Sequence, residues 1–217
     1  MKGLFKIFLF ILFIAAIVAG ILYLQQLPEE ESCPPEGTAR EYRVMELNRL
    51  KNRTASPAPG DINNAIILAK MLEEGDDRRR WNTGDAAEII GYVADVKVGG
   101  VETCNCKATD PEHRDTHIEL VADPMHGGYT KKIIIEITPR IRALAAKKGL
   151  DWSTRALRDK LLGRWVKVQG WMLFDFEHLN QADNTHPGGE RNWRATAWEI
   201  HPVTSIEVIN GAARNPI

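Results

Sequence analysis

The sequence predicts a mainly β protein: a small five-stranded barrel of the OB type, behind an N-terminal transmembrane helix and a short helical segment. Three observations predict it. An apolar run, Leu4–Leu24, is interrupted only by Lys6. From Ala87 onward the hydrophobic residues alternate with a period of two, which is typical of strands. Five such strands, with helical sequence between the third and the fourth, follow the order of elements in the OB-fold, a partly open Greek-key barrel.

The apolar run predicts a membrane anchor. An α-helix needs about 20 apolar residues to cross a bilayer, and Leu4–Leu24 supplies that length. Lys2 and Lys6 lie at its beginning, and Glu29–Glu31 follow it. By the positive-inside tendency, the N-terminus stays cytoplasmic and the rest is extracytoplasmic. The alternative is secretion after cleavage of a signal peptide, which normally has a shorter apolar core.

The chain after the anchor divides by composition. Residues 25–60 are rich in Pro and Glu near their start and predict a spacer. Residues 61–84 predict a helical preface that begins at Asp61 and ends at Gly75, with an apolar face that includes Ile66 and Leu72. The β domain covers 85–210, and 211–217 form a tail. We therefore expect the anchor (1–24) to hold one folded domain outside the inner membrane.

The β domain is predicted to contain five strands and two helices. The predicted strands cover 87–98, 115–122, 131–138, 164–174 and 193–209. Pro139 ends the third strand, because proline cannot donate to a strand ladder. A helix over Ile141–Lys148 follows, and a second is capped by Asp151 or Ser153 and ends at Gly163.

The composition and the motifs exclude several function classes. The chain has 28 Lys and Arg against 29 Asp and Glu, which argues against a nucleic-acid partner, since phosphate-backbone affinity depends on clustered basic residues. Its basic cluster, Arg78–Arg80, directly follows Asp76 and Asp77. Phosphate-binding P-loop, dinucleotide-binding, serine-hydrolase and His-Glu-x-x-His motifs do not occur in the sequence. We therefore expect neither a nucleotide-driven machine, nor a dinucleotide-dependent enzyme, nor a standard serine hydrolase.

The three cysteines admit two interpretations. Export would place Cys33, Cys104 and Cys106 where disulfides persist, and Cys33 could pair with either of the other two. The alternative is a zinc site that uses four thiol and imidazole ligands: Cys104, Cys106, His113 and His117. The Cys-x-Cys spacing is shorter than the usual zinc knuckle, so the pattern favours a disulfide, and no cofactor is firmly predicted.

Polar residues on alternate strand positions form the candidate ligand site. In the second strand His117 and Glu119 lie on the face opposite Ile118. Near the C-terminus Glu199 and His201 likewise share a face. If the two faces coincide, two histidines and two carboxylates converge, a group able to hold a metal or to exchange protons near neutral pH. With two residues at the end of strand three, the candidates are His117, Glu119, Glu136, Arg140, Glu199 and His201.

Several segments together resemble an uncharacterised bacterial family. They are Cys104-Asn105-Cys106, Arg114–Glu119 (RDTHIE), Glu136–Arg140 (EITPR) and Trp198–Val203 (WEIHPV). The resemblance covers roughly Glu46–Val208. It implies an exported or membrane-anchored protein with an OB-like domain, and it carries no assigned activity or catalytic residue.

Three functions remain as hypotheses. The first is a membrane-anchored extracytoplasmic binding domain for an unknown small or oligomeric ligand. The second is a metal-dependent hydrolase that uses the same histidines and carboxylates, with zinc as its candidate metal. The third is a structural protein of the cell envelope that docks partners on the helical preface. The sequence leaves the ligand and the oligomeric state open, and it leans toward a protein without catalysis.

Overall fold

The computed structural model describes residues 13–14, 33–125 and 131–210. Apart from residues 13–14, the predicted anchor lies outside the described residues, as does the predicted tail, 211–217. In the part of the chain that is described, no helix has both the length and the hydropathy needed to span a bilayer. The described residues from Pro35 to Asn210 form one compact unit.

Five strands close into a β-barrel within the described residues. They are β1 (Ala86–Val98), β2 (Thr116–Val121), β3 (Lys132–Ile137), β4 (Trp165–Phe174) and β5 (Trp198–Val208). Around the barrel the order is β1-β2-β3-β5-β4. Strands β3 and β5 are parallel, and the other neighbours are antiparallel. The predicted strands are confirmed, although β5 begins at Trp198 and not at residue 193.

Alternation along the strands decides what fills the barrel. In β3, Ile133, Ile135 and Ile137 belong to the fully buried core, while Glu136 projects to the opposite face. Burying one such side chain contributes about 1.5–3 kcal/mol. The opposite faces of β2, of β3 and of the first half of β5 are also covered, since all of β2, all of β3 except Lys132, and Trp198–Val203 of β5 are buried. The wall of the barrel therefore has an apolar inside and a buried polar outside.

Four α-helices accompany the barrel in the described residues: α1 (Tyr42–Lys51), α2 (Leu68–Met71), α3 (Pro139–Ala146) and α4 (Thr154–Leu161). Thr138 caps α3 by accepting a hydrogen bond from the Ile141 backbone N–H. Ser153 caps α4 in the same way from Ala156. Both helices predicted between strands three and four are thus confirmed, because cap residues and Pro139 mark where each begins.

The prediction that the preface 61–84 contains a helix from Asp61 to Gly75 is wrong. Only Leu68–Met71 is α-helical, and Asp61 instead lies in a 3-10 turn, where its carboxylate accepts from the Ala58 backbone N–H at 2.8 Å. The side chains of Ile66, Leu68 and Met71 are part of the barrel core. The barrel core therefore uses apolar side chains that the prediction places on the free face of a helix.

The second half of the predicted spacer, 25–60, is folded against the barrel. Helix α1 contacts β5 and the turn at Thr103–Asn105. The Asn48 amide donates to the Glu36 carbonyl at 2.8 Å, and the Asn52 amide donates to the Cys104 carbonyl at 2.9 Å. These bonds fix α1 over the outer wall of the barrel, where it covers the polar faces of the strands.

Candidate functional site

Three strands bring four of the predicted site residues together on the outer wall of the barrel. His117 in β2 stands directly opposite Glu136 in β3, and the Nδ1–Oε1 distance is 3.1 Å. His201 in β5 places Nδ1 3.5 Å from Oε2 of Glu136 and 3.4 Å from Oε2 of Glu199. The faces of the two histidines therefore coincide as expected, but the carboxylates that meet them are Glu136 and Glu199 and not Glu119 and Glu199, and Glu136 joins the two histidines.

Glu119 and Arg140 do not join this group. Glu119 shares a face with His117, but its carboxylate is held by the ammonium groups of Lys97 and Lys132. Arg140 lies in the first turn of α3. The arginine two positions later, Arg142, is buried and donates to Thr116 Oγ1 at 2.9 Å and to the Arg114 carbonyl at 2.7 Å. Arg142 therefore ties helix α3 to the start of β2, and the candidate site lies further along the outer wall of the barrel.

His201 is a buried cation. Its Nε2 lies 3.8 Å from Oδ2 of Asp115, so carboxylates face both ring nitrogens. Burial alone would lower the His201 pKa, but the hydrogen bond to Glu199 and the charges of Glu136 and Asp115 raise it to about 9. Burial and the neighbouring Glu136 raise the pKa of Asp115 to about 7, against the attraction of His201. The network therefore carries protons in its interior at neutral pH.

A second buried cation comes from helix α1, which sequence reasoning did not connect with the site. The Lys51 ammonium lies 2.8 Å from Glu102 Oε2 and 3.1 Å from Asp175 Oδ2, and its side chain is 2% exposed. Despite the cost of burial, these two carboxylates hold the Lys51 pKa well above its usual value. Nothing in the sequence marks Lys51, because one lysine in a charged helix is ordinarily a solvated side chain.

Asp175 also holds a third histidine. Its Oδ2 lies 2.9 Å from Nδ1 of His178, one turn further along the chain. This hydrogen bond raises the pKa of His178 against the effect of burial. The Asp175 pKa lies well below its usual value because Lys51 and His178 outweigh the burial of the carboxyl. His178 was visible in the sequence only as one of several polar residues in the loop before β5.

A cavity of about 250 Å³ opens beside these groups. Its wall includes side chains of both signs and one indole: Lys97, His117, His178, Trp193, Arg194 and Glu199. Trp193 lies against the His117 ring with 5.5 Å between ring centroids. The ammonium groups of Lys97 and Lys132 lie 5.7 and 5.5 Å from the Trp193 ring centre. The cavity therefore offers polar walls and an aromatic surface to one small molecule.

Arg194 is the unusual residue of this cavity. Its side chain is 1% exposed, and Nη1 donates to Oε1 of Glu199. Burial opposes ionisation of Glu199, yet the Arg194 charge lowers the Glu199 pKa to about 2. The Nε and Nη2 groups of Arg194, and Nε2 of His117, are buried without a hydrogen-bond partner. Since buried polar atoms are nearly always paired, these three atoms are the candidate contacts for a ligand or a water.

The sequence contained only a weak signal for Arg194. It follows Trp193 in the loop before β5, and a tryptophan beside an arginine is a common pairing at binding surfaces. The mixed composition of that loop is also that of an ordinary connection. Only the closure of the loop over β5 buries the guanidinium beside Glu199.

The predicted zinc set of Cys104, Cys106, His113 and His117 is wrong. Cys33 and Cys106 form a disulfide, so Cys106 supplies no thiolate. Burial and the nearby Asp115 raise the Cys104 pKa well above its usual value. His113 instead lies 3.2 Å from Asp110. The disulfide itself agrees with one of the two pairings expected from the sequence.

Other side chains have ligand atoms at metal-binding separations. In three sets within the described residues, these atoms lie within 4.8 Å of one another: Glu102, Cys104 and Asp115; Asp115, Glu136 and His201; and Asp175, His178 and Glu199. In the second set the carboxylates face different nitrogens of His201. In the third, Asp175 is held by Lys51 and Glu199 by Arg194. Ion pairing between side chains accounts for the second and third sets, and in the first set the Cys104 thiol donates to Glu102 and Asp115.

No protein-family model matches the chain, and no curated protein sequence matches it.

Proposed function

We propose that this chain is an extracytoplasmic binding protein with an OB-type barrel, and that it takes the oxyanion group of a small ligand into the cavity beside Arg194. The barrel order β1-β2-β3-β5-β4, with α3 and α4 inserted between β3 and β4, supports the OB assignment. The oxyanion is a phosphate, a sulfate or a carboxylate.

The two unpaired N–H groups of Arg194, Nε and Nη2, carry this proposal. The Nε–H and one Nη2–H of a guanidinium point in parallel, and this pair matches the two oxygens of a carboxylate or phosphate. In Arg194 both groups lack a partner, while Nη1 is used by Glu199. A buried donor without a partner costs about 1–3 kcal/mol. An oxyanion on this edge would remove that cost and gain a bidentate contact.

The other residues of the cavity fit a small polar ligand with a ring. Trp193 is half-buried at the cavity, and its exposed part offers a stacking surface. The carboxylates of Glu136 and Glu199 already have cationic partners of their own, in His201 and Arg194. The groups left for a ligand are therefore hydrogen-bond donors and an aromatic face.

The disulfide supports the extracytoplasmic location. Disulfides persist in oxidising compartments and are rare in the cytosol, and Cys33 and Cys106 are bonded. Cys33 follows the apolar run Leu4–Leu24 by only nine residues. An inner-membrane anchor at that run, or a signal peptide cleaved there, would deliver the domain to such a compartment.

Titration of the exported domain with inorganic phosphate, sulfate and acetate tests the proposal by calorimetry and by thermal protection. At least one anion should bind and raise the Tm with its concentration. Arg194→Lys should weaken that binding about tenfold or more, because lysine keeps the charge and loses the fork. Arg155→Lys is the matched control, since Arg155 is exposed on α4. Absence of binding at millimolar anion, or equal affinity in Arg194→Lys and the unmodified protein, would overturn the proposal.

A further inference from the structure

Two histidine–carboxylate pairs face the same cavity as Arg194. Nδ1 of His117 lies 3.1 Å from Glu136, and Nδ1 of His178 lies 2.9 Å from Asp175. Both histidines line the cavity. When a carboxylate holds Nδ1, the opposite nitrogen, Nε2, is the atom left for chemistry. A cavity that is lined by two such histidines and an arginine has candidates for a general base, a general acid and an anion-binding group.

We propose that the site hydrolyses a phosphodiester, with His117 as the general base and His178 as the general acid while Arg194 holds the phosphoryl oxygens. This inference rests on the proposed function, because it requires that Arg194 bind an oxyanion. To the proposed function it adds a class of substrate, phosphodiesters, and a reaction, hydrolysis.

His117 is placed to act as the base. An ionised carboxylate can only accept a hydrogen bond, so the proton between His117 and Glu136 belongs to Nδ1, and Nε2 is the nitrogen that can accept a proton. That Nε2 is buried without a partner beside the cavity. A carboxylate that orients a histidine in this way is a recurring arrangement for proton abstraction.

His178 is placed to act as the acid. Its side chain is about 30% exposed, so it reaches the cavity from the solvent side, where a leaving group would depart. The groups that face it are Asp175, Glu199 and Arg194, and the first two favour its protonated form. A protonated imidazole at neutral pH is the form that donates to a leaving oxygen.

The reaction balances without another reactant. A water oxygen attacks phosphorus while His117 Nε2 accepts a proton from that water. The bond from phosphorus to the leaving oxygen breaks, and His178 Nε2–H gives its proton to that oxygen. The products are a phosphomonoester and an alcohol. His117 then returns its proton to solvent and His178 takes one up, so the enzyme is restored.

The charges of the cavity favour a diester over a monoester. A phosphodiester has one negative charge shared by two non-bridging oxygens, and the single fork of Arg194 matches both. A monoester dianion would carry a second charge that this single fork does not match.

The experiment measures hydrolysis of two diesters by the exported domain: bis(4-nitrophenyl) phosphate, and a dinucleoside phosphate with an alkoxide leaving group. His117→Asn should lower kcat for both about 100-fold or more. His178→Asn should lower kcat for the alkoxide substrate by a similar factor and affect 4-nitrophenolate much less, because that leaving group departs without protonation. A merely structural role of His178 would lower both equally, and equal loss overturns its assignment.

His186→Asn is the control variant, since His186 is exposed and lies outside the residues that line the cavity. Its kcat should equal that of the unmodified protein. Loss of hydrolysis on treatment with EDTA would overturn the proposed chemistry and assign the reaction to a metal. Calorimetry with inorganic phosphate separates the two proposals. Phosphate binding without hydrolysis of either diester overturns this inference alone, whereas absence of binding by phosphate and by the other anions overturns the proposed function as well.

Discussion

His117 and Glu136 face each other across the paired strands β2 and β3, and their hydrogen bond fixes the orientation of an imidazole that lines the cavity. The pair is buried, with side chains 11% and 8% exposed. Its direction depends on the strand register, because a shift of one residue would turn both side chains into the barrel.

The His117–Glu136 pair should be energetically coupled. In a double-mutant cycle with His117→Asn and Glu136→Gln, we expect a coupling free energy of about 1–3 kcal/mol, since hydrogen bonds to charged groups lie in that range. Urea unfolding followed by circular dichroism measures it. The exposed pair Lys167–Glu207, at 2.9 Å, is the control and should couple by less than about 1 kcal/mol. Additive effects at the buried pair would contradict the hydrogen bond.

Stability should fall as the pH rises above neutral, and His201 should cause much of that fall. Folding raises the His201 pKa from 6.5 to about 9 through Glu199, Glu136 and Asp115, although burial and Lys51 oppose the shift. The folded state therefore holds this proton more tightly, and the contribution is complete below about pH 6.5 and lost as the pH rises through about 9. Asp115, with its pKa raised to about 7, acts in the same direction between about pH 4 and pH 7.

The measurement is the free energy of unfolding from urea titrations between pH 6 and pH 9.5. The unmodified protein should lose roughly 3 kcal/mol over the His201 interval. His201→Gln should be less stable at pH 6 and should show a flatter profile above pH 7. Equal slopes in the two proteins would rule out His201 as the titrating group.

Lys51 should be far more important for stability than an exposed lysine in a similar ion pair. Lys51→Met leaves the buried Asp175 and the partly buried Glu102 without this cation, and removing one partner of a buried pair typically costs about 3–5 kcal/mol. Lys70→Met, which breaks the exposed pair with Glu73, should cost less than about 1 kcal/mol. Thermal unfolding of both variants gives the comparison. Similar Tm values for the two variants would show that Lys51 does not neutralise Glu102 and Asp175.

The cysteines should differ in reactivity. Cys33 and Cys106 are oxidised, while Cys104 is 1% exposed and its pKa is raised by burial and by Asp115. Iodoacetamide should therefore add no group to the folded, unreduced protein, one group after unfolding, and three after unfolding with reduction. Intact mass spectrometry counts the additions. Modification of the folded protein, or three additions without reductant, would contradict this assignment.

How much of the site the sequence could predict depended on whether a residue belonged to a regular strand. Alternation placed His117 opposite Ile118 and Glu199 opposite Ile200, and both pairs of faces are as expected, because the side-chain period of a strand is independent of distant contacts. Lys51, Asp175 and Arg194 were missed. Each reaches the site from a helix or a connection, and periodicity says nothing about where such a segment crosses a barrel.

The sequence by itself determined the strands, the capped helices between β3 and β4, and the polar faces of β2 and β5, since these depend on local patterns of apolar residues, caps and breakers. Only the tertiary structure decided which side chains meet. The closed barrel sets β3 beside β5, and so joins Glu136 to His201. Helix α1 and the loop before β5 then cover this wall and bury Lys51 and Arg194 among carboxylates. The physical reason is that the energy of a buried charge depends on its neighbours in space, which a strand pattern does not specify.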